Sequence, residues 1–435
     1  MPIEQNAYWW KTAKIYELYI DQFAGNIQGL IAKLDYFTAL GVDCLHLLPH
    51  YPSGGVDQGY DITDYRTVRA ELGTLDDFKH LVTEARARGI RIITDFVLNH
   101  TSMEHPWFLE ASASRDNPKR DFYLWNSLDY GFEGATNAFP DMKPSNWIAN
   151  PQTEDYYFAT FYPEQPDLNW DNPEVEAAML ATMDFWADLG VSGFRLDAAQ
   201  YLIKRENTTS RGLPETHAVL KRIRTHLDEK YPGVVILAEA DQGIQLMKEY
   251  FGKGDECHLC YHFPLMSQLW LALTDDSLEQ VHKTIEQSFD IPDNCQWATF
   301  LRNHDEISLV TLPSQDRARV VDHIDPAHRY VMEKMGLTAV RVATAFGGDP
   351  AKIRAAFELL YSLPGAPVMY YGDEIGLQNL PVRPGVTDTR LYVRGNFDWQ
   401  EADRQQADAS SLWSAIHAII SRTTIASPIT LEPTE

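Results

Sequence analysis

Four runs of apolar residues in this chain each end in a polar group: residues 92–100 (IITDFVLNH), 193–197 (GFRLD), 234–239 (VVILAE) and 297–305 (WATFLRNHD). Runs of this length, rich in β-branched and aromatic types, predict strands buried on both faces, as in a parallel sheet. Further strand-like runs at 14–20, 42–48, 257–263 and 367–371 bring the number to eight. Between most of them apolar positions recur at helical spacing, which predicts helices over 27–40, 75–88, 174–189, 214–230 and 244–250, with a last one over 411–422. Repeated βα units with eight strands predict an α/β fold, a (β/α)8 TIM barrel.

One connection breaks the rhythm. Residues 101–172 are rich in Pro, Asn, Asp, Trp and Tyr and show no sustained helical period. A structureless loop of that length is uncommon in a compact domain, so the segment reads as a small subdomain inserted after the third strand and overhanging the barrel mouth. The barrel itself is then built from 1–100 and 173–435. A second irregular stretch, 378–399, follows the last strand.

Composition narrows the function. The chain has 435 residues, 44% of them hydrophobic, and its 37 basic against 62 acidic residues give a net charge of −25. That balance disfavours nucleic acid and anionic membranes as partners and suits a neutral small molecule. No apolar stretch approaches membrane-spanning length, and the N-terminal residues lack the pattern of a secretory signal, so the expected location is cytoplasmic. A homo-oligomer stays open. Of four cysteines, Cys257 and Cys260 form a C-x-x-C around His258, but no second pair completes a zinc site, so neither metal nor cofactor is expected.

The chemistry lies at the strand ends. In a parallel barrel the C-terminal ends of the strands share one mouth, so Asp197, Glu239 and Asp305 converge there. Glycosidic bonds are cleaved by two carboxyl groups in different protonation states on opposite sides of the bond. Glu239 ends an aliphatic run that would keep it protonated, as an acid requires, whereas Asp197 lies two residues after Arg195 on one side of a strand and would stay ionised as a nucleophile. Asp305 suits a third role, orienting hydroxyls. Any one of these carboxylates alone would read as a helix cap or salt-bridge partner; three at barrel-strand ends do not.

These segments resemble the four signature regions of the α-amylase family of glycoside hydrolases: DFVLNH, GFRLDAA, ILAEA and FLRNHDE, in that order. The resemblance is closest to the trehalose synthase and α-glucosidase members, through LLPHYPSGGVDQGYDITDYR, GLPETHAVLK, FGKGDECHLCYHFP and IPDNCQWATFLRNHDE. It implies a retaining, exo-acting enzyme on small α-glucosides such as maltose, passing one glucosyl unit through a covalent intermediate to water or to another sugar. The alternative within the family is isomerisation of maltose and trehalose; from another class, a non-catalytic sugar-binding homologue. By resemblance Asp197 is the nucleophile, Glu239 the acid/base and Asp305 the transition-state stabiliser, while Tyr60, Asp61, His100, Arg195, His304 and Arg394 hold the glucose. Asp61 and Arg394 are expected to pair at the blind end. Ala198 resembles members acting on α-1,4 bonds. Relatives that bind calcium use the equivalents of Asn99 and Asp167; here Lys204 is expected to put its ammonium in the ion's place. The family's C-terminal β-sandwich is read as absent or truncated, and TDTRLYVRGNFDW stands where trehalose synthases carry a motif ending in arginine, threonine, proline, methionine, glutamine and tryptophan.

Overall fold

The computed structural model describes residues 8–423. Eight parallel strands close into a barrel: β1 (Ile15–Leu18), β2 (Cys44–Leu47), β3 (Arg91–Val97), β4 (Gly193–Asp197), β5 (Val235–Ala238), β6 (Leu259–Tyr261), β7 (Gln296–Phe300) and β8 (Ala366–Tyr370). Each strand pairs with its neighbour in sequence, and β8 returns to β1 with Ile15 opposite Val368. Nearly every strand residue is buried, which is why the runs read as continuous rather than alternating. Gly193 opens β4 where a Cβ would lie 2.9 Å from the Val235 carbonyl, so the close β4–β5 approach there admits no side chain.

Helices surround the barrel. Pro214–Lys230 has the bounds that the periodicity predicts, and Leu75–Ala87 and Pro173–Asp188 lie within a residue of theirs. Thr74 caps the second of these barrel helices through a reciprocal capping box with Asp77. The predicted 27–40 helix is two, Ile27–Ala32 and Leu34–Leu40, because Lys33 leaves helical geometry. Between β7 and β8 the chain forms helices Ser314–Ile324 and Pro350–Ser362, where the pattern predicted nothing. In the last helix, Leu412–Arg422, Trp413, Ile416, Ile419 and Ile420 are buried against Leu34–Leu40 and Pro350–Ser362. Each such isoleucine contributes about 1.5–3 kcal/mol. Gly41 (φ +92°) ends the Leu34–Leu40 helix in the left-handed region, and its missing Cβ leaves room for Ile420. Among the described residues no strand follows Tyr370, and no helix is long and apolar enough to cross a membrane.

The segment after β3 carries helix Pro106–Ala113 and a three-stranded antiparallel sheet in which Asp155–Phe158 lies between Trp125–Asn126 and Trp147–Asn150. Bridges from His100 to Asp167 and from Tyr123 to Leu168 fasten it at the C-terminal end of β3.

A candidate active site at the carboxyl ends of the strands

The three carboxylates arrive by different local devices. Asp197 is the last residue of β4, two positions after Arg195 and on the same face. Glu239 directly follows β5. Asp305 comes at the end of a loop after β7 that the buried Arg302 shapes: its Nε donates to the Asn303 carbonyl (2.7 Å) and Nη2 to the Asp305 carbonyl (2.8 Å). The Asp305 amide donates to Asn303 Oδ1 (3.0 Å), which turns the Asp305 side chain into the mouth. All three carboxylates line one pocket together with Tyr60, His100 and His304.

Arg195 joins two of them. Its Nη1 donates to Asp197 Oδ1 (2.7 Å) and Asp95 Oδ1 (2.9 Å), and its Nη2 lies 2.5 Å from Glu239 Oε1. Beneath it, inside the barrel, His46 bridges Glu17 Oε2 and Asp95 Oδ2, each at 3.2 Å. Glu17 Oε1 also accepts from the His304 amide (2.9 Å) and contacts its Nδ1 (3.0 Å). His304 Nε2 stands 2.7 Å from the Tyr60 hydroxyl and 3.2 Å from Asp305 Oδ2. Residues from β1, β2, β3 and β4 thus fix the floor through hydrogen bonds that leave the carboxylates few ways to move.

Burial pushes the carboxyls of Asp197 and Glu239 up; Arg195 pulls both down without prevailing, and the charge of Glu239 adds to the rise of Asp197. Arg195 alone does not hold Asp197 down as the sequence suggests, because burial outweighs it and Glu239 and Asp95 share the same guanidinium. Two raised carboxyls on one arginine take up one proton between them. Arg195 reaches both, Asp197 Oδ1 at 2.7 Å and Glu239 Oε1 at 2.5 Å, and the Ala198 amide adds a donor to Glu239 Oε2 (3.2 Å). Asp305 goes the other way: burial raises it, but His304, Arg390, Arg394 and Arg195 outweigh burial and hold it well below the usual range. Burial lowers His100 to about 4, so it is a neutral hydrogen-bonding group at neutral pH.

The blind end differs from the expectation. Asp61 does not pair with Arg394 and does not line the pocket: its Oδ1 accepts from the Val56 amide (3.0 Å) and its Oδ2 from the Ser102 hydroxyl (3.2 Å). Asp57 takes its place. Asp57 and Gln58 both adopt left-handed backbone (φ 49° and 48°), and that turn points Asp57 inward while Asp61 fastens the loop from behind. Asp57 Oδ1 lies 3.1 Å from Arg394 Nη1 and 2.9 Å from Arg390 Nη2. Arg394, wholly buried, also donates to Asp305 Oδ1 (2.7 Å) and to the His304 carbonyl (3.0 Å). The sequence reading also misses Arg390, Glu306 and Phe139, which line the pocket. Asp388-x-Arg390, four residues before Arg394, was a charged pair within an irregular stretch and carried the signal for the first of them.

Lys204 lies where the resemblance expects it. Its Nζ is 2.7 Å from Asn99 Oδ1 and 2.6 Å from Asp167 Oδ2, and it also donates to the Tyr201 carbonyl. Cys257, Cys260 and Cys295 are buried free thiols, and among the described residues no group of three His, Cys, Asp or Glu side chains is arranged to hold a metal ion.

Residues 11–340 match the model of the alpha-amylase catalytic domain. Over 391 residues the chain is 44% identical to the trehalose synthase/amylase TreS of Mycolicibacterium smegmatis, covering 87% of this chain and 65% of that protein. It is 42% identical over 385 residues to the trehalose synthase of Pimelobacter sp., covering 85% and 67%. The fold superposes on the crystal structure of the α-glucosyl transfer enzyme XgtA with a TM-score of 0.75 at 28% identity, covering 95% of this chain and 84% of that one. The chain spans a little under two thirds of the length of the M. smegmatis relative.

Proposed function

Because this chain belongs to the alpha-amylase family, we propose that it transfers one α-glucosyl unit of a small α-glucoside with retention, interconverting maltose and trehalose. Asp197 attacks the anomeric carbon while Glu239 protonates the leaving oxygen. The C–O bond to the departing glucose breaks and a glucosyl ester forms on Asp197. Glu239, now a carboxylate, takes the proton of the acceptor hydroxyl as it attacks the ester. If the departing glucose turns in the pocket and offers its anomeric hydroxyl, maltose becomes trehalose.

The observation that carries this reading is the Asp57–Arg394–Asp305 linkage. Asp57 and Asp305 line the pocket and Arg394 ties them together, which supports a blind end that takes one glucose and no passage for a long chain. Asp305, held ionised, stabilises charge on the distorted ring in the transition state. Similarity to trehalose synthases supports glucose rather than water as acceptor. Incubation with maltose, and separately with trehalose, tests this. Each should yield the other, with free glucose as the minor product. Glucose as the dominant product identifies a hydrolase, and internal cleavage of starch refutes the closed end.

A further inference from the structure

Arg390 makes contacts that the reaction as described does not require. It stands in the short 3-10 turn Thr389–Val393 after β8, and its side chain is buried. Its Nη1 donates to Asp305 Oδ1 (3.1 Å), the oxygen that Arg394 already holds at 2.7 Å. Its Nη2 reaches Asp57 Oδ1 (2.9 Å), and Asp388 receives both Nε (2.9 Å, Oδ1) and Nη2 (2.8 Å, Oδ2) in a two-pronged pair. The guanidinium also lies 4.3 Å from the centre of the Phe139 ring, and Nη2 donates to the Tyr162 hydroxyl (3.2 Å). Tyr162 in turn donates to Asp388 Oδ2 (2.6 Å).

Phe139 and Tyr162 belong to the segment after β3, not to the barrel. With Phe161 they form an aromatic row, Phe139 to Phe161 at 5.4 Å and Phe139 to Tyr162 at 5.4 Å, that runs on to Tyr201 beside Asp197 (Phe161 to Tyr201, 5.3 Å). Phe139 and Phe161 line the pocket, so the row is its roof. Arg394 holds Asp305 from the barrel side, anchored on the His304 carbonyl whatever the roof does. Arg390 holds the same oxygen from the roof side. If the roof lifts, it gives up the cation over Phe139 and the bond to Tyr162, while Asp388, Asp57 and Asp305 keep Arg390 in place.

We propose that Arg390 is a positioning residue that fastens the aromatic roof to the Asp305 side of the pocket, and thereby selects a sugar hydroxyl over water as acceptor. The inference rests on the transfer reading above. Both outcomes start from one glucosyl–Asp197 ester. An acceptor O–H attacks the anomeric carbon, the bond to Asp197 breaks and restores its carboxylate, and Glu239 takes the acceptor proton. Only the acceptor differs, and a closed roof that retains the departing glucose and excludes bulk water decides it. A lysine keeps the charge but cannot span Asp388, Asp57 and Asp305 with one planar fork.

Two variants test this, Arg390→Lys and the milder Tyr162→Phe, which removes only the hydroxyl that joins Asp388 and Arg390. The ratio of free glucose to transfer product from maltose is independent of enzyme concentration and of the folded fraction. It should rise about fivefold or more in Arg390→Lys and by a smaller factor in Tyr162→Phe, the scale of one lost hydrogen bond. Amide hydrogen exchange over residues 136–162 should rise in both. Bonds from the Lys334 and Met335 amides to Asp141, at 2.9 and 3.2 Å, are untouched by either substitution. An unchanged ratio alongside slower overall turnover would make Arg390 purely structural, and unchanged exchange would show that it does not hold the roof; either overturns the proposal. A wild-type protein that cleaves no α-glucoside refutes the transfer reading by itself and the acceptor selection with it.

Discussion

Replacing Lys204 by methionine isolates the contribution of the buried ammonium. The stem is retained in length, while the contacts of Nζ with Asn99 Oδ1, Asp167 Oδ2 and the Tyr201 carbonyl are lost. Removing one partner of a buried ion pair costs about 3–5 kcal/mol, because the other charge stays behind. Asp167 is not abandoned completely: it still accepts from the Thr160 amide (2.9 Å), the Thr160 hydroxyl and Asn99 Nδ2 (3.0 Å). The expected loss is therefore at the low end, about 3 kcal/mol, a large share of the ~5–15 kcal/mol that holds a typical domain. Urea unfolding measures it. Lys204→Ala leaves space among the same oxygens, the ligand type that calcium prefers. Added calcium should then recover part of the stability in the alanine variant and none in the methionine variant, while a chelator leaves wild-type activity unchanged. A methionine variant within about 0.5 kcal/mol of wild type would refute the reasoning, as would a wild type inactivated by chelation.

Steady-state kinetics on maltose should separate the two aspartates of the DQGYD turn: Asp57→Asn lowers kcat/KM by about a hundredfold, while Asp61→Asn changes it by less than about threefold. Asp61 also predicts a pH effect. Burial raises its carboxyl to about 7, above its unfolded value, so the stability it contributes is full below about pH 4 and is lost as pH rises through 7. Urea midpoints for Asp61→Asn should exceed those of wild type at about pH 8 by more than at about pH 4.5; the reverse order would place the proton elsewhere. Glu239→Gln should lower turnover of maltose by about a thousandfold or more, yet regain much of it, in the first step, on a glucosyl fluoride, whose leaving group needs no proton. Asp197→Asn should regain none, and a burst of fluoride release by each variant reads the difference.

The barrel was legible because parallel strands buried on both faces leave unbroken apolar runs, and all eight runs became strands. The carboxylates were legible because each ends such a run. What escaped was set by loop geometry. Asp57 and Asp61 sit four residues apart around one tyrosine, and only the left-handed turn at Asp57 and Gln58 decides which of them faces the sugar side. Arg390 escaped because only Asp388 lies near it in the chain, while the partners that bring it to the site lie on the β2 and β7 loops and the segment after β3. The split of Ile27–Ala32 from Leu34–Leu40 left no mark on the apolar spacing, since both halves bury the same stripe. The joint rise of Asp197 and Glu239 could not be read from neighbours in sequence, because it comes first from burial among several strands, and for Asp197 also from the charges of Glu239 and Asp95 on other strands.

The central claim is a glucosyl group held on Asp197. In 5-fluoro-α-glucosyl fluoride the ring fluorine slows both steps by drawing charge from the ring, while the fluoride leaving group keeps the first fast, so the ester accumulates on brief incubation. Mass spectrometry of the intact protein should show one added fluoroglucosyl unit, and the peptide carrying it should map to Asp197. Turnover of the reagent with no adduct, or an adduct on Glu239 or Asp305 instead, would contradict the account.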